Sequence, residues 1–214
     1  MLKIKHLNHA FEEKIIFKDA SIVIPDSTVI WLQGENGSGK TTFYKIVSGL
    51  LEPSDIDGLV ITENNQDIDL DMLKKNINFI PNIPYLFNYL SGQKNLEYLI
   101  ELFELGDRKD EINNNINELG LLDDLDKEVR TYSLGMKAKL YLGIMLERKT
   151  NVLLIDELLN NLDVDALNSI VQLLKRKVVE EHMSILITSH TPIIREEFPI
   201  NIIKLKEHRF EYEK

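Results

Sequence analysis

Short apolar runs punctuated by turn-forming residues recur at 21–24, 28–32, 59–62, 76–80, 152–155, 184–188 and 202–205, and each has the length and branched-residue content of a strand. Between several of these runs the apolar spacing changes to three, four and seven. Phe43, Ile46, Val47 and Leu50 form one such set, which a helix would place on a single face. Strands alternating with helices predict a mainly parallel sheet covered on both sides. The runs 28–32 and 152–155 are almost wholly apolar, as central strands buried on both faces require. Segments 2–7 and 202–212 mix charged with apolar residues. They are expected at the periphery as half-exposed antiparallel strands, the second as a hairpin.

From about residue 90 to 147 the pattern is helical throughout, carried by Leu96, Leu99, Ile100 and Phe103, then Ile112, Ile116 and Leu119, then Leu140 and Ile144. The chain is therefore read as one α/β domain over 1–214. Its core covers 1–84 and 150–214, and a helical lobe of about 85–149 is inserted between them, with joints near Pro81 and Pro84 and near Thr150 and Asn151. Asn113, Asn114 and Asn115 are read as a solvated face, and Trp31 as core.

Composition narrows the class. With 43% hydrophobic residues in 214, the chain can bury a real core, and disorder is excluded as its main state. Its 25 Lys and Arg against 35 Asp and Glu leave a net charge of −10, which opposes binding to nucleic acid or to an anionic membrane. There is no cysteine, hence no disulfide, thiolate metal site or cysteine nucleophile. The first residues carry charges and histidines where a secretory signal would be apolar, and no window approaches the ~20 apolar residues of a membrane span. The expectation is a soluble, cytoplasmic chain that would need a second polypeptide to work at a membrane.

The strongest chemical signal is Gly34-Glu35-Asn36-Gly37-Ser38-Gly39-Lys40-Thr41, directly after the strand 28–32 and directly before a helix. Its glycines let successive N–H groups turn inward onto phosphate oxygens, and the helix N-terminus adds its positive dipole end. Lys40 would reach the β- and γ-phosphates, Thr41 would place a hydroxyl on Mg²⁺, and Thr42 would meet the phosphate nearest the sugar. The apolar run 152–155 then ends in Asp156 and Glu157. Strand-end carboxylates are often plain solvated charges, but behind such a loop Asp156 can hold the hydration shell of Mg²⁺ and Glu157 can activate the attacking water. Hydrolysis thus outranks simple nucleotide binding. His190, at the carboxyl end of the run 184–188, is placed to hydrogen-bond a γ-phosphate.

Taken in order, these residues resemble the ATP-binding cassette of ABC transporters over nearly the whole chain. Phe11 stands where that family stacks an aromatic on adenine. Tyr132-Ser133-Leu134-Gly135-Met136 resembles the signature motif, Asn160-Asn161-Leu162-Asp163 the D-loop, and His190 the switch histidine. The fold the resemblance implies is a P-loop NTPase with a mainly parallel central sheet, peripheral antiparallel strands and an inserted helical lobe. It also implies ATP and Mg²⁺ as cofactors. Two cassettes would face head to tail, each ATP held between one phosphate loop and the partner's Ser133, Leu134, Gly135 and Met136. An identical copy is the expected partner, with a separate transmembrane permease and no nucleic acid; the chain would then sit on the inner face of the cell membrane.

Three positions depart from the family pattern: Asn82 replaces the lobe-joining glutamine that contacts Mg²⁺ or water, Leu134 replaces a glycine, and Leu158 replaces a proline. Tyr-Ser-x-Gly-Met variants resemble those of bacterial drug and peptide exporters, so the favoured function is an export ATPase for a peptide or drug-like compound. The alternative is a soluble, non-transport cassette. A nucleotide kinase would share the loop but not the signature segment. For Tyr85, Phe87 and Tyr89, a core or joint role stands beside partner binding, and the resemblance favours the latter.

Overall fold

The computed structural model describes residues 1–189 and 200–213. Among them are two sheets. Strands β1 (Leu2–Phe11), β2 (Lys14–Ile24), β4 (Val60–Glu63) and β5 (Gln66–Ile68) form an antiparallel sheet in the order β2-β1-β4-β5. Strands β3 (Val29–Gln33), β6 (Ile77–Ile80), β7 (Val152–Asp156), β8 (Ser184–Thr188), β9 (Ile200–Lys206) and β10 (Arg209–Tyr212) form the second, in the order β10-β9-β3-β8-β7-β6. All neighbours in it are parallel except the β9–β10 hairpin.

At the middle of the large sheet β7 and β8 are buried on both faces, and the alternation sorts side chains between two cores. In β7, Leu153 and Ile155 face the cluster that contains the helical segment, whereas Val152 and Leu154 face the cluster built on α1 (Lys40–Val47) and the antiparallel sheet. Every residue of β7 and of β8 is buried. Helix α2 (Leu70–Lys75) precedes β6, and between β6 and β7 the chain forms α3 (Gly92–Leu102), α4 (Lys109–Glu118), α5 (Leu134–Met145) and short 3-10 turns, with no strand. The expected apolar sets of this segment are buried in one cluster with α6 (Val164–Glu180), and Phe103 packs against it partly buried.

Several local expectations are corrected. β9 is antiparallel on one side only: it forms the expected hairpin with β10 but pairs parallel with β3, Val29 opposite Ile200 and Gln33 opposite Lys204. Its mixed pattern arises because Ile203 and Leu205 are buried while Lys204 and Lys206 are exposed, so one face is open and the pairing direction is unaffected. β1 is internal to its sheet, between β2 and β4. Leu50 lies beyond the end of α1 and is exposed. Trp31 is only half-buried, its indole N–H donating to the Ser189 carbonyl at 2.9 Å.

Asn115 is not solvated. It is buried, and its amide donates to the Gly143 carbonyl at 3.1 Å and to Glu147 Oε1 at 2.8 Å. Glu147, just past α5 and itself buried, also accepts from Arg108 Nε at 3.1 Å and from Lys177 Nζ of α6 at 2.9 Å. Alongside, Arg176 of α6 makes a two-bond fork with Glu118 of α4 at 3.0 and 2.9 Å. α4 and α6 are thus held to each other through one buried carboxylate. Burial alone would raise the Glu147 carboxyl, yet hydrogen bonds from Arg108 and Lys177 outweigh it and hold it below its ordinary value.

Glu147→Gln should lower stability by about 3 kcal/mol, toward the lower end of the range for breaking a buried pair because Arg108 and Lys177 keep Glu181. That is a drop in Tm of roughly 6–12 °C for a chain of this length. A carboxyl depressed in the native state stabilises above its unfolded pKa and loses that contribution as pH falls through the native value. Thermal melts from pH 7 into the acid range should therefore show the variant losing part of the wild-type acid dependence, and equal melts at pH 7 would contradict the clamp.

Candidate functional site

Parallel pairing delivers the carboxyl ends of β3, β8 and β7 to one edge of the sheet. β3 ends at Gln33 and leads into the glycine loop, and Lys40 opens α1. Gly37 and Gly39 take φ of +78° and +113°, conformations that a side chain resists. At Gly37 an added Cβ would meet open space; at Gly39 it would meet Ile16 Cγ2 at 2.6 Å and Phe17 Cζ at 3.2 Å. The loop is therefore pressed against β2 at its second turn and open at its first.

Within the loop, Lys40 is buried and its ammonium donates to the carbonyls of Gly34 at 2.8 Å and Glu35 at 3.1 Å. The Ser38 hydroxyl is buried with no hydrogen-bond partner among the described residues. Glu35 and Asn36 are exposed at the tip, and Thr42, the third residue of α1, is half-buried. Thr41 Oγ1 donates to Asp156 Oδ2 at 2.7 Å, and the other oxygen, Oδ1, accepts from the Thr188 hydroxyl at 2.8 Å. Thr188 also receives the Glu157 N–H, on its own carbonyl and on its hydroxyl, both at 3.0 Å. Glu157 itself sits at φ 54°, a left-handed conformation for a residue with a side chain, directly before the 3-10 turn Leu158–Asn161. Leu158, where the family pattern has proline, starts that turn and is buried. The sequence expected none of Thr188's bonds. Their trace is a hydroxyl residue closing a strand whose middle is apolar.

These groups fit a triphosphate with a hydrated divalent cation. An orphaned buried hydroxyl, a lysine ammonium held on main-chain carbonyls and a threonine hydroxyl bonded to a carboxylate converge at one helix N-terminus. Thr41 and Asp156 would hold the cation, and Lys40 and Ser38 the phosphates. Beside the loop lies a cavity of about 540 Å³ lined by Lys14, Ile15, Ile16, Lys204, Leu205 and His208, among others.

The remaining candidates are spread along the chain. Phe11 ends β1, 47% exposed, its ring edge-on to His9 with centroids 4.7 Å apart. Burial lowers the pKa of that histidine. Asn82 is exposed just beyond β6. Ser133 is the N-cap of α5, its hydroxyl accepting from Met136 N–H at 3.1 Å; Leu134 is exposed, and Gly135 and Met136 are half-buried. Asp163 is the N-cap of α6, accepting from Ala166 N–H at 2.8 Å. His190 lies outside the described residues. Tyr44, three residues after Thr41 on α1, escaped notice in the sequence; burial and the charge of Asp156 raise its phenol well above the usual range.

The ABC transporter family model matches residues 17–160. The chain belongs to the ATP-binding domain family of ABC transporters. It is 33% identical over 192 residues to YhcH of Bacillus subtilis strain 168, an uncharacterized ABC transporter ATP-binding protein, covering 89% of this chain and 62% of YhcH. It is also 33% identical over 193 residues to the lantibiotic transport ATP-binding protein SrtF of Streptococcus pyogenes, covering 89% of this chain and 80% of SrtF. The chain spans about three fifths of the length of YhcH and of YdbJ, another Bacillus relative. In fold it matches the dimeric structure of the ATP-binding cassette MJ0796 bound to ADP and Pi, with a TM-score of 0.81 at 22% identity, covering 100% of this chain and 98% of that one.

The loop geometry separates two glycines. Gly37→Ala should cost only the strain of a left-handed alanine, about 1 kcal/mol. Gly39→Ala must also displace Ile16, and it should bind a fluorescent ATP analogue roughly tenfold more weakly than Gly37→Ala. Equal affinities in an equilibrium titration would show that the contact with β2 does not shape the loop.

Proposed function

We propose that this chain is the ATP-hydrolysing part of an ABC transporter, working as a head-to-tail pair with a second copy of itself on the cytoplasmic face of a membrane. The observation that carries this reading is the link from Thr41 to Asp156 and on to Thr188, which joins the phosphate loop to the strand ends that hold the acids.

In this reading the loop N–H groups of Gly34, Glu35, Asn36, Gly37, Ser38 and Gly39 bind the phosphates, and Lys40 exchanges its bonds to main-chain carbonyls for the β- and γ-phosphates. Bound Mg²⁺ would neutralise charge on those phosphate oxygens. Thr41 and Asp156 would hold the cation, Asn82 would serve it through water, and Thr42 would meet the phosphate nearest the sugar. Phe11 stacks on the base. Glu157 takes the proton of the attacking water, and the resemblance to the family gives the γ-phosphate to His190. The helix N-terminus at Ser133, Leu134, Gly135 and Met136 serves the ATP of the other copy, with Asp163 near the same joint. The domain assignment, core 1–84 and 150–214 around a lobe of about 85–149, belongs to the same reading.

A separate transmembrane permease is the partner. Among the described residues no helix is long and apolar enough to cross a membrane. Ile83, Tyr85, Phe87 and Tyr89 form an exposed apolar surface just beyond β6, between 50% and 81% open, suited to a helix of that partner. Export of a peptide or drug-like compound is favoured by the Tyr-Ser-Leu-Gly-Met segment and by the relative named for lantibiotic transport.

Ser133→Arg and Lys40→Ala each should abolish most ATP hydrolysis. Mixed together they should recover part of it, because one composite site in the mixed dimer is built from two intact halves. Steady-state phosphate release from the mixture is expected to exceed the sum of the two separate rates. A mixture that never exceeds that sum would overturn the paired arrangement.

A further inference from the structure

Tyr44 buries a hydroxyl in the core. The residue is fully buried, and its hydroxyl meets no hydrogen-bond partner among the described residues. A tyrosine in such a place is costly, since phenylalanine would fill the same volume without desolvating an O–H group. Its surroundings say where the hydroxyl is needed. Tyr44 stands on the same face of α1 as Thr41, less than one turn on, and long helical side chains lean back toward the N-terminus, over the preceding turn. Its ring packs edge-on to Phe79 of β6, with centroids 6.0 Å apart, and Phe79 is opposite Leu154 in the register with β7. That strand ends at Asp156, whose charge the phenol feels. Of the two Asp156 oxygens, Oδ2 is bonded to Thr41 and Oδ1 to Thr188, each by a single bond, and a carboxylate oxygen accepts more than one.

We propose that Tyr44 is a positioning residue for the cation half of the site, its hydroxyl holding Asp156, through one water, in the orientation that faces the ion. This rests on the reading of Asp156 as the acid that faces Mg²⁺. It adds a buried donor beside the acid, one that would be partnered through water in the cation-bound site. Thr41 and Thr188 orient the carboxylate from the loop and from β8; Tyr44 would do so from inside the core. Outer partners of this kind commonly change metal affinity measurably without touching the metal.

The test is made in the full chain carrying Glu157→Gln to slow turnover, saturated with ATP, with Mn²⁺ as the probe and free Mn²⁺ read by electron paramagnetic resonance. Adding Tyr44→Phe should weaken Mn²⁺ binding about three- to tenfold, the worth of one hydrogen bond. ATP affinity in excess EDTA should not change, and the metal-free Tm should be equal or higher, because an unpaired hydroxyl has been removed. Unchanged Mn²⁺ affinity would overturn the proposal. So would a lower metal-free Tm, which would mean that the hydroxyl already has a structural partner. Asp156→Asn is the control for the underlying reading: if it leaves Mn²⁺ affinity intact, the assignment of Asp156 fails, and Tyr44 with it.

Discussion

The hydrogen bond from Thr41 to Asp156 joins the two halves of this site, and most of the architecture serves to make it possible. Thr41 belongs to the first turn of α1, which the glycine loop launches from the end of β3; Asp156 is the last residue of β7. β3 and β7 are not neighbours. β8 lies between them, and only because all three run parallel do their carboxyl ends fall on one edge. Thr188, at the end of the intervening strand, bridges the gap by donating to Asp156 and receiving the Glu157 N–H. A register slip in any of these pairings would invert the faces and separate the pair.

The apolar pattern made this arrangement legible from the chain alone. Strands 28–32 and 152–155 carried too few polar residues for any place but the middle of a parallel sheet, and the glycine loop followed the first and the acid pair the second. Directionality was harder to read at β9. Alternating Ile203, Lys204, Leu205 and Lys206 reports that one face is exposed, and that is equally true of a parallel strand near the side of a sheet. The β1–β2 hairpin was underestimated for a related reason: its register shifts break the strict alternation on which a strand assignment depends.

Buried polar residues were the least legible part. Asn115 sits in a run of three asparagines that reads as solvent-facing, yet it is enclosed because Glu147 and Gly143 satisfy its amide. Glu147 in turn reads as an ordinary helix-end acid, and its burial depends on Arg108 and Lys177, 39 and 30 residues away. Tyr44 reads as one more apolar position on α1. Such roles need partners from distant segments, and no local period announces them. The Glu147 clamp holds α4 to α6, whereas Tyr85, Phe87 and Tyr89 beyond β6 stay exposed.

The central claim is that Glu157 acts on a water at a nucleotide shared between two copies. Sedimentation velocity of the Glu157→Gln variant, with and without ATP, tests it most directly when paired with its rate of phosphate release. The account predicts a monomer that becomes a stable dimer when ATP is added, with hydrolysis slowed by a factor of about 100 or more, since general-base contributions are of that order. A variant that hydrolyses ATP like the wild type, or that stays monomeric at saturating ATP, would contradict it.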